Sequence, residues 1–231
     1  MEGILAWLRQ LELGTLLDTV TVVIAAMLSI TVHETCHGYA AYRLGDPTAK
    51  NAGRLTLNPL RHIDPAGLIL MALVKFGWAK PVPIDPRYFK KPKRDMAITA
   101  FAGPLSNVVL ALLALLLRNV LILLEWRIGE NAVTGLLMTL MEYIAVISSG
   151  LAVFNLFPVP PLDGFKVLFA VLPERIYFRI MRYERYGMIV MALLLLTDLI
   201  DRPLLFLRSG LLNGLLAAAE FPIRLFLNLI S

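Results

Sequence analysis

His33-Glu34-Thr35-Cys36-His37 puts two imidazoles and a carboxylate into an otherwise apolar helical stretch. On a helix, residues i and i+4 lie one turn apart on the same face, so His33 and His37 can grip a single metal ion. Glu34 then sits beside that ion, where its carboxylate can take a proton from an activated water. The bland alternative is a set of polar side chains packed in a helical core. Ionisable groups at membrane depth are costly and usually functional, which weighs against that alternative.

A catalytic zinc takes three protein ligands and keeps one position open, so a third ligand is needed. Asp163 is the strongest candidate. It follows the break Pro158-Val159-Pro160-Pro161 and precedes Gly164 in an apolar setting. Irregular backbone at membrane depth is tolerated where it is buried in protein or lines a water-filled cavity. Alone, Asp163 reads as an ordinary helix N-cap; beside the histidine pair it reads as a ligand. Cys36, at i+3 from His33, could in principle replace His37, but a buried cysteine is more often a packing residue. His62, the remaining histidine, is expected to hydrogen-bond its loop neighbours and is not assigned to the metal.

The elements that must carry these groups are membrane helices. The 231 residues are 58% hydrophobic and 17% charged, and several apolar stretches reach the length a crossing needs, about 20 residues. The single cysteine excludes an internal disulfide. A net charge of +5 could suggest nucleic acid, but the cations cluster in loops beside apolar spans, a pattern of membrane topology. No nucleic-acid partner is expected. The start of the chain lacks a basic n-region, so no cleaved signal peptide is expected.

The reading is an all-α polytopic membrane protein, a bundle of about 4–6 transmembrane helices in the lipid bilayer. Residues 1–15 form an N-terminal amphipathic segment, 16–186 a catalytic core and 187–231 C-terminal transmembrane or interfacial helices. Spans are expected at about 16–44, 96–124, 132–157 and 187–200. After the first comes a short β-like piece at Arg54-Leu55-Thr56-Leu57 and a re-entrant or interfacial element at 67–78. Lysine and arginine accumulate on the cytoplasmic side, so basic loops 80–94 and 174–186 both face the cytoplasm. The first span then runs inward, and His33, His37 and Asp163 lie toward the cytoplasmic side of the cell membrane.

The blocks in order resemble the site-2 proteases, the intramembrane zinc metalloprotease family. The histidine pair is similar to that family's HExxH helix. Asn58 to Gly67 and Gly77-Trp78-Ala79-Lys80-Pro81-Val82-Pro83 resemble the connecting region of its compact prokaryotic members. Gly103-Pro104-Leu105-Ser106-Asn107 is similar to the GPxxN element, and Asn155 to Gly164 to the NxxPxPxxDG motif. The likeness covers about residues 20–170 and has no room for a PDZ insertion or CBS pair.

The resemblance implies one Zn2+ per chain held by His33, His37 and Asp163, with Glu34 as general base and then acid. It marks Asn155 and Asn107 as substrate-binding or oxyanion candidates. The implied substrate is a transmembrane protein or peptide, cut in or near its membrane segment in regulated intramembrane proteolysis or membrane-protein turnover. A transporter or a degenerate, purely zinc-binding adaptor is the rival. Retention of Glu34 between the two histidines argues against it.

Overall fold

The computed structural model describes residues 13–62, 64, 67, 80–181, 186–197 and 200–230. The helices are α1 (Leu13–Arg43), α2 (Thr48–Asn51), α3 (Pro92–Ile128), α4 (Ala132–Asn155), α5 (Asp163–Phe169), α6 (Glu174–Met181), α7 (Gly187–Leu196) and α8 (Asp201–Ile230). Long apolar sequences become long helices because lipid offers no partner for backbone N–H and C=O groups. Among the described residues, four helical stretches are long and apolar enough to cross a membrane: Leu16–Arg43, Pro92–Ile128, Ala132–Asn155 and Asp201–Leu225. The chain is therefore an all-α polytopic membrane protein.

Two expected elements take another form. The crossing expected at 187–200 is the ten-residue α7, about 15 Å long against a hydrocarbon core of about 30 Å. The C-terminal crossing is α8. Pro203 lies in its first turn, where a missing N–H costs little, and Pro222 lies within it. The β-like piece at 54–57 is not a strand, and no strand occurs among the described residues. Its backbone is satisfied without a ladder. Arg54 N–H donates to the Ala49 carbonyl at 2.9 Å, and the Thr56 carbonyl accepts from Thr35 Oγ1 at 2.8 Å and His62 Nε2 at 2.8 Å.

The re-entrant element expected at 67–78 lies, apart from Gly67, outside the described residues, as do the first twelve residues. Lys80 N–H donates to the His62 carbonyl at 2.9 Å, so the chain returns beside the point from which it left.

α1, α3 and α4 pack against one another, with α8 on α3 and α4. Ala25, Ala111, Ala114 and Ala145 form much of the buried contact. Lipid is as apolar as leucine, so association depends on close approach and on interhelical hydrogen bonds rather than on the hydrophobic effect. Small side chains permit the approach. Ser148 Oγ to Ser29 Oγ at 2.8 Å and Asn119 Nδ2 to the Ala219 carbonyl at 2.9 Å supply the bonds. The antiparallel order brings the end of α1, the start of α3 and the end of α4 to one end of the bundle.

Candidate active site

At that end, His33 and His37 project from α1 with both side chains buried. Their Nε2 atoms are 2.9 Å apart, and the rings are nearly perpendicular. Asp163 Oδ2 lies 3.2 Å from His33 Nε2 and 3.1 Å from His37 Nε2. Among the described residues, these three alone form a group of donors that could hold one metal ion.

The proline break positions the carboxylate. Asp163 is the first residue of α5, and the N-cap position belongs to Leu162, so Asp163 is not acting as the cap. Gly164 follows because a Cβ there would run into the Leu156 carbonyl group and come within 2.7 Å of the Phe157 carbonyl oxygen. Only glycine lets α5 start this close to the end of α4.

α3 packs against the imidazoles through residues four apart. His37 Nδ1–H donates to the Thr99 carbonyl at 2.7 Å. A carbonyl only accepts, so the proton belongs on Nδ1 and the Nε2 lone pair is free for a metal. Gly103 faces the rings: a Cβ there would stand 2.5 Å from His37 Cε1 and 2.8 Å from His33 Cε1. Asn107, expected at the substrate, is instead fully buried, with its amide 3.0 Å from His33 Nδ1.

Glu34 opens into a cavity of about 220 Å³ lined also by His33, His37, Val82, Asn155 and Asp163. Its Oε2 accepts from Val82 N–H at 2.9 Å. The carbonyl of that same peptide unit, on Pro81, accepts from Arg54 Nη2 at 3.1 Å, and the Lys80 carbonyl accepts from it at 2.9 Å. One peptide is thus clamped between a guanidinium and a carboxylate. Asn155 ends α4 with Nδ2 donating to the Leu151 carbonyl at 3.0 Å. Cys36 and His62 lie outside the donor group.

Gly103, Val82 and Arg54 fall in segments that the sequence marks for other reasons, and their places at the site are not readable there. The cavity-lining Lys166 is not singled out by the sequence, although it stands at i+3 from Asp163 on one helix.

A family model described as Peptidase family M50 matches residues 117–197, which include Asn155 and Asp163 but not the histidine pair. A Bacillus subtilis protein named "Putative zinc metalloprotease YwhC" is 38% identical over 180 residues, covering 77% of this chain and 80% of that protein. The chain belongs to peptidase family M50, the site-2 protease family. A Mycolicibacterium smegmatis relative, Rip2, carries the same kind of name and is 27% identical over 209 residues, 87% of this chain and 77% of its own length. No solved structure matches significantly.

As an M50 peptidase the chain is a multi-pass membrane zinc metallopeptidase. The residues present fit its metal. Tetrahedral ligands about 2.05 Å from zinc stand roughly 3.3 Å from one another. The three donor atoms stand 2.9, 3.1 and 3.2 Å apart. Converging lone pairs at this spacing repel unless a cation lies among them, a proton or the zinc.

Proposed function

We propose that this M50 peptidase hydrolyses peptide bonds in or near the transmembrane segments of membrane proteins. In this reading His33, His37 and Asp163 hold the zinc and Glu34 moves the protons. The observation that carries the reading is the meeting of the three donor atoms within 3.2 Å at the cavity into which Glu34 opens, within a membrane-helix bundle.

Zinc, when bound, supplies Lewis-acid polarisation of carbonyl and water oxygens. Glu34 takes a proton from the attacking water as its oxygen bonds to the scissile carbon. It returns that proton to the amide nitrogen as the C–N bond breaks, leaving a free carboxyl and a free amine. The Val82 N–H holds Oε2 and so aims the carboxylate. Asn155, on the cavity wall, engages the extended backbone of the substrate. A membrane helix hides its carbonyls in its own hydrogen bonds, so the substrate unwinds before cleavage. The site faces the cytoplasm, as the basic segment leading into α3 supports.

The test is cleavage by the purified enzyme, in mild detergent, of transmembrane-segment peptides and of soluble peptides of equal length, with cut sites mapped by mass spectrometry. Cuts in or beside the apolar segments are expected. Cleavage confined to the soluble peptides overturns the reading. Labelling of a Lys90→Cys variant lacking Cys36 should succeed only from the cytoplasmic face of sealed vesicles; labelling only from the other face overturns the orientation.

A further inference from the structure

We infer that Asn107 accepts a hydrogen bond from His33 Nδ1–H and so positions the His33 ring for the metal, an inference that rests on the proposed zinc triad. The Asn107 amide lies with Nδ2 3.0 Å from His33 Nδ1, and its Oδ1 is buried with no hydrogen-bond partner. The two ends of an amide are alike in shape and are distinguished by their hydrogen bonds. A neutral imidazole whose Nε2 faces a metal carries its proton on Nδ1. Two donors would then meet at His33. Turning the amide by half a rotation removes that conflict and gives the orphaned oxygen its partner.

The rest of α3 agrees. Thr99 already accepts from His37 Nδ1–H, and Gly103, midway, leaves room for both rings. Thr99, Gly103 and Asn107 share one helix face at spacings of four. That face offers the histidine pair an acceptor, a gap and a second acceptor. Outer partners of this kind fix the tautomer and typically change metal affinity by about 10- to 100-fold.

Zinc affinity measured by chelator competition tests it on the wild type and on Asn107→Leu, Asn107→Asp and His33→Ala variants, with thermal unfolding of the metal-free forms alongside. Asn107→Leu should weaken zinc by about 10- to 100-fold. Asn107→Asp, which accepts but cannot donate, should restore affinity to within a few-fold of wild type. Affinity unchanged in Asn107→Leu, or as weak in Asn107→Asp as in Asn107→Leu, overturns the inference. Unchanged affinity in His33→Ala instead overturns the triad itself.

A separate feature lies at the start of α3. We propose that the groove beside Lys90 and Lys91 binds the headgroup of an anionic phospholipid. It has a volume of about 780 Å³ and is lined by four cations, Lys90, Lys91, Lys93 and Arg94, by one carboxylate, Glu174, and by apolar side chains that include Ile98 and Val171. Lys93 donates to the Leu172 carbonyl and Arg94 pairs with Asp95 at 2.7 Å. Among the described residues Lys90 and Lys91 pair with no carboxylate, and they remain available to a phosphate. Ile98, Phe101 and Leu105 continue from the groove along α3 as a half-exposed apolar stripe, a track for acyl chains.

Met96 and Ala100 line the catalytic cavity, whereas Ala97 and Ile98 line the groove. The two openings therefore use different faces of α3, which favours a lipid over a substrate segment.

Lipid retained per chain can be read by native mass spectrometry after extraction into micelles of phosphatidylcholine and phosphatidylglycerol at three to one. Enrichment of phosphatidylglycerol is expected, falling on the order of ten-fold in Lys90→Gln/Lys91→Gln but not in the equally charged control Arg175→Gln/Arg179→Gln. Equal retention of both lipids, equal loss in both double variants, or displacement of the lipid by a soluble polyglutamate peptide or by inorganic phosphate overturns the proposal.

Discussion

Gly103 packs directly on the His37 ring, with space for a hydrogen and none for a methyl group: a Cβ would stand 2.5 Å from Cε1. The ring cannot yield by rotating freely, because its Nδ1–H is bonded to the Thr99 carbonyl at 2.7 Å. The helix that supplies the histidines and the helix that orients them are therefore fitted at one glycine.

Gly103→Ala should accordingly act on the metal more than on the fold. Overpacking costs about 1–3 kcal/mol when it cannot relax, and here relaxation means displacing an imidazole. Zinc affinity by chelator competition is expected to fall at least about ten-fold while helix content by circular dichroism stays the same. Wild-type affinity in this variant would show that the rings are not held as described.

Arg54→Ala probes Glu34 through a peptide rather than through the metal. Arg54 donates to the Lys80 and Pro81 carbonyls, and the Pro81–Val82 peptide presents its N–H to Glu34. Removing the guanidinium leaves these carbonyls without their charged donor and frees that peptide to move. Peptidase activity should drop about ten-fold, the scale of misplacing a general base by a fraction of its reach. Bound zinc, measured by elemental analysis, should not change.

Asp46→Ala tests the joint that holds residues 80–89 against the end of α1. Asp46 is fully buried and accepts from Asp85 N–H at 2.7 Å, from Thr48 N–H at 2.9 Å and from the Thr48 hydroxyl. Its loss strands three part-buried donors, at up to about 1–3 kcal/mol each. Thermal unfolding in detergent should shift several degrees downward, with Asp46→Asn intermediate because one acceptor oxygen remains.

The parts of this enzyme that could be read from its residues are those set by local geometry. His33 and His37 meet because an α-helix repeats every 3.6 residues, which their spacing already states. Asp163 was legible only together with the histidine pair, since a carboxylate after a proline run reads by itself as a helix N-cap. The Thr99–Gly103–Asn107 face was not legible, because its meaning depends on the register of α3 against α1. The Arg54–Pro81–Val82–Glu34 clamp works through backbone groups that every residue possesses. Residues 54–57 have the look of a strand, but strand formation needs a partner, and Thr35 and His62 satisfy that backbone instead. α7 is apolar enough for a crossing, yet the helix stops after Leu196.

The most direct measurement is cleavage of a transmembrane substrate by wild-type enzyme and by Glu34→Gln at matched zinc content. The substituted amide keeps an acceptor for the Val82 N–H and removes none of the three proposed metal donors, but it cannot take a proton from water. The variant should bind one zinc per chain and lose cleavage by about 100- to 10,000-fold. Cleavage at the wild-type rate by Glu34→Gln, or wild-type cleavage with no zinc bound, would contradict the account.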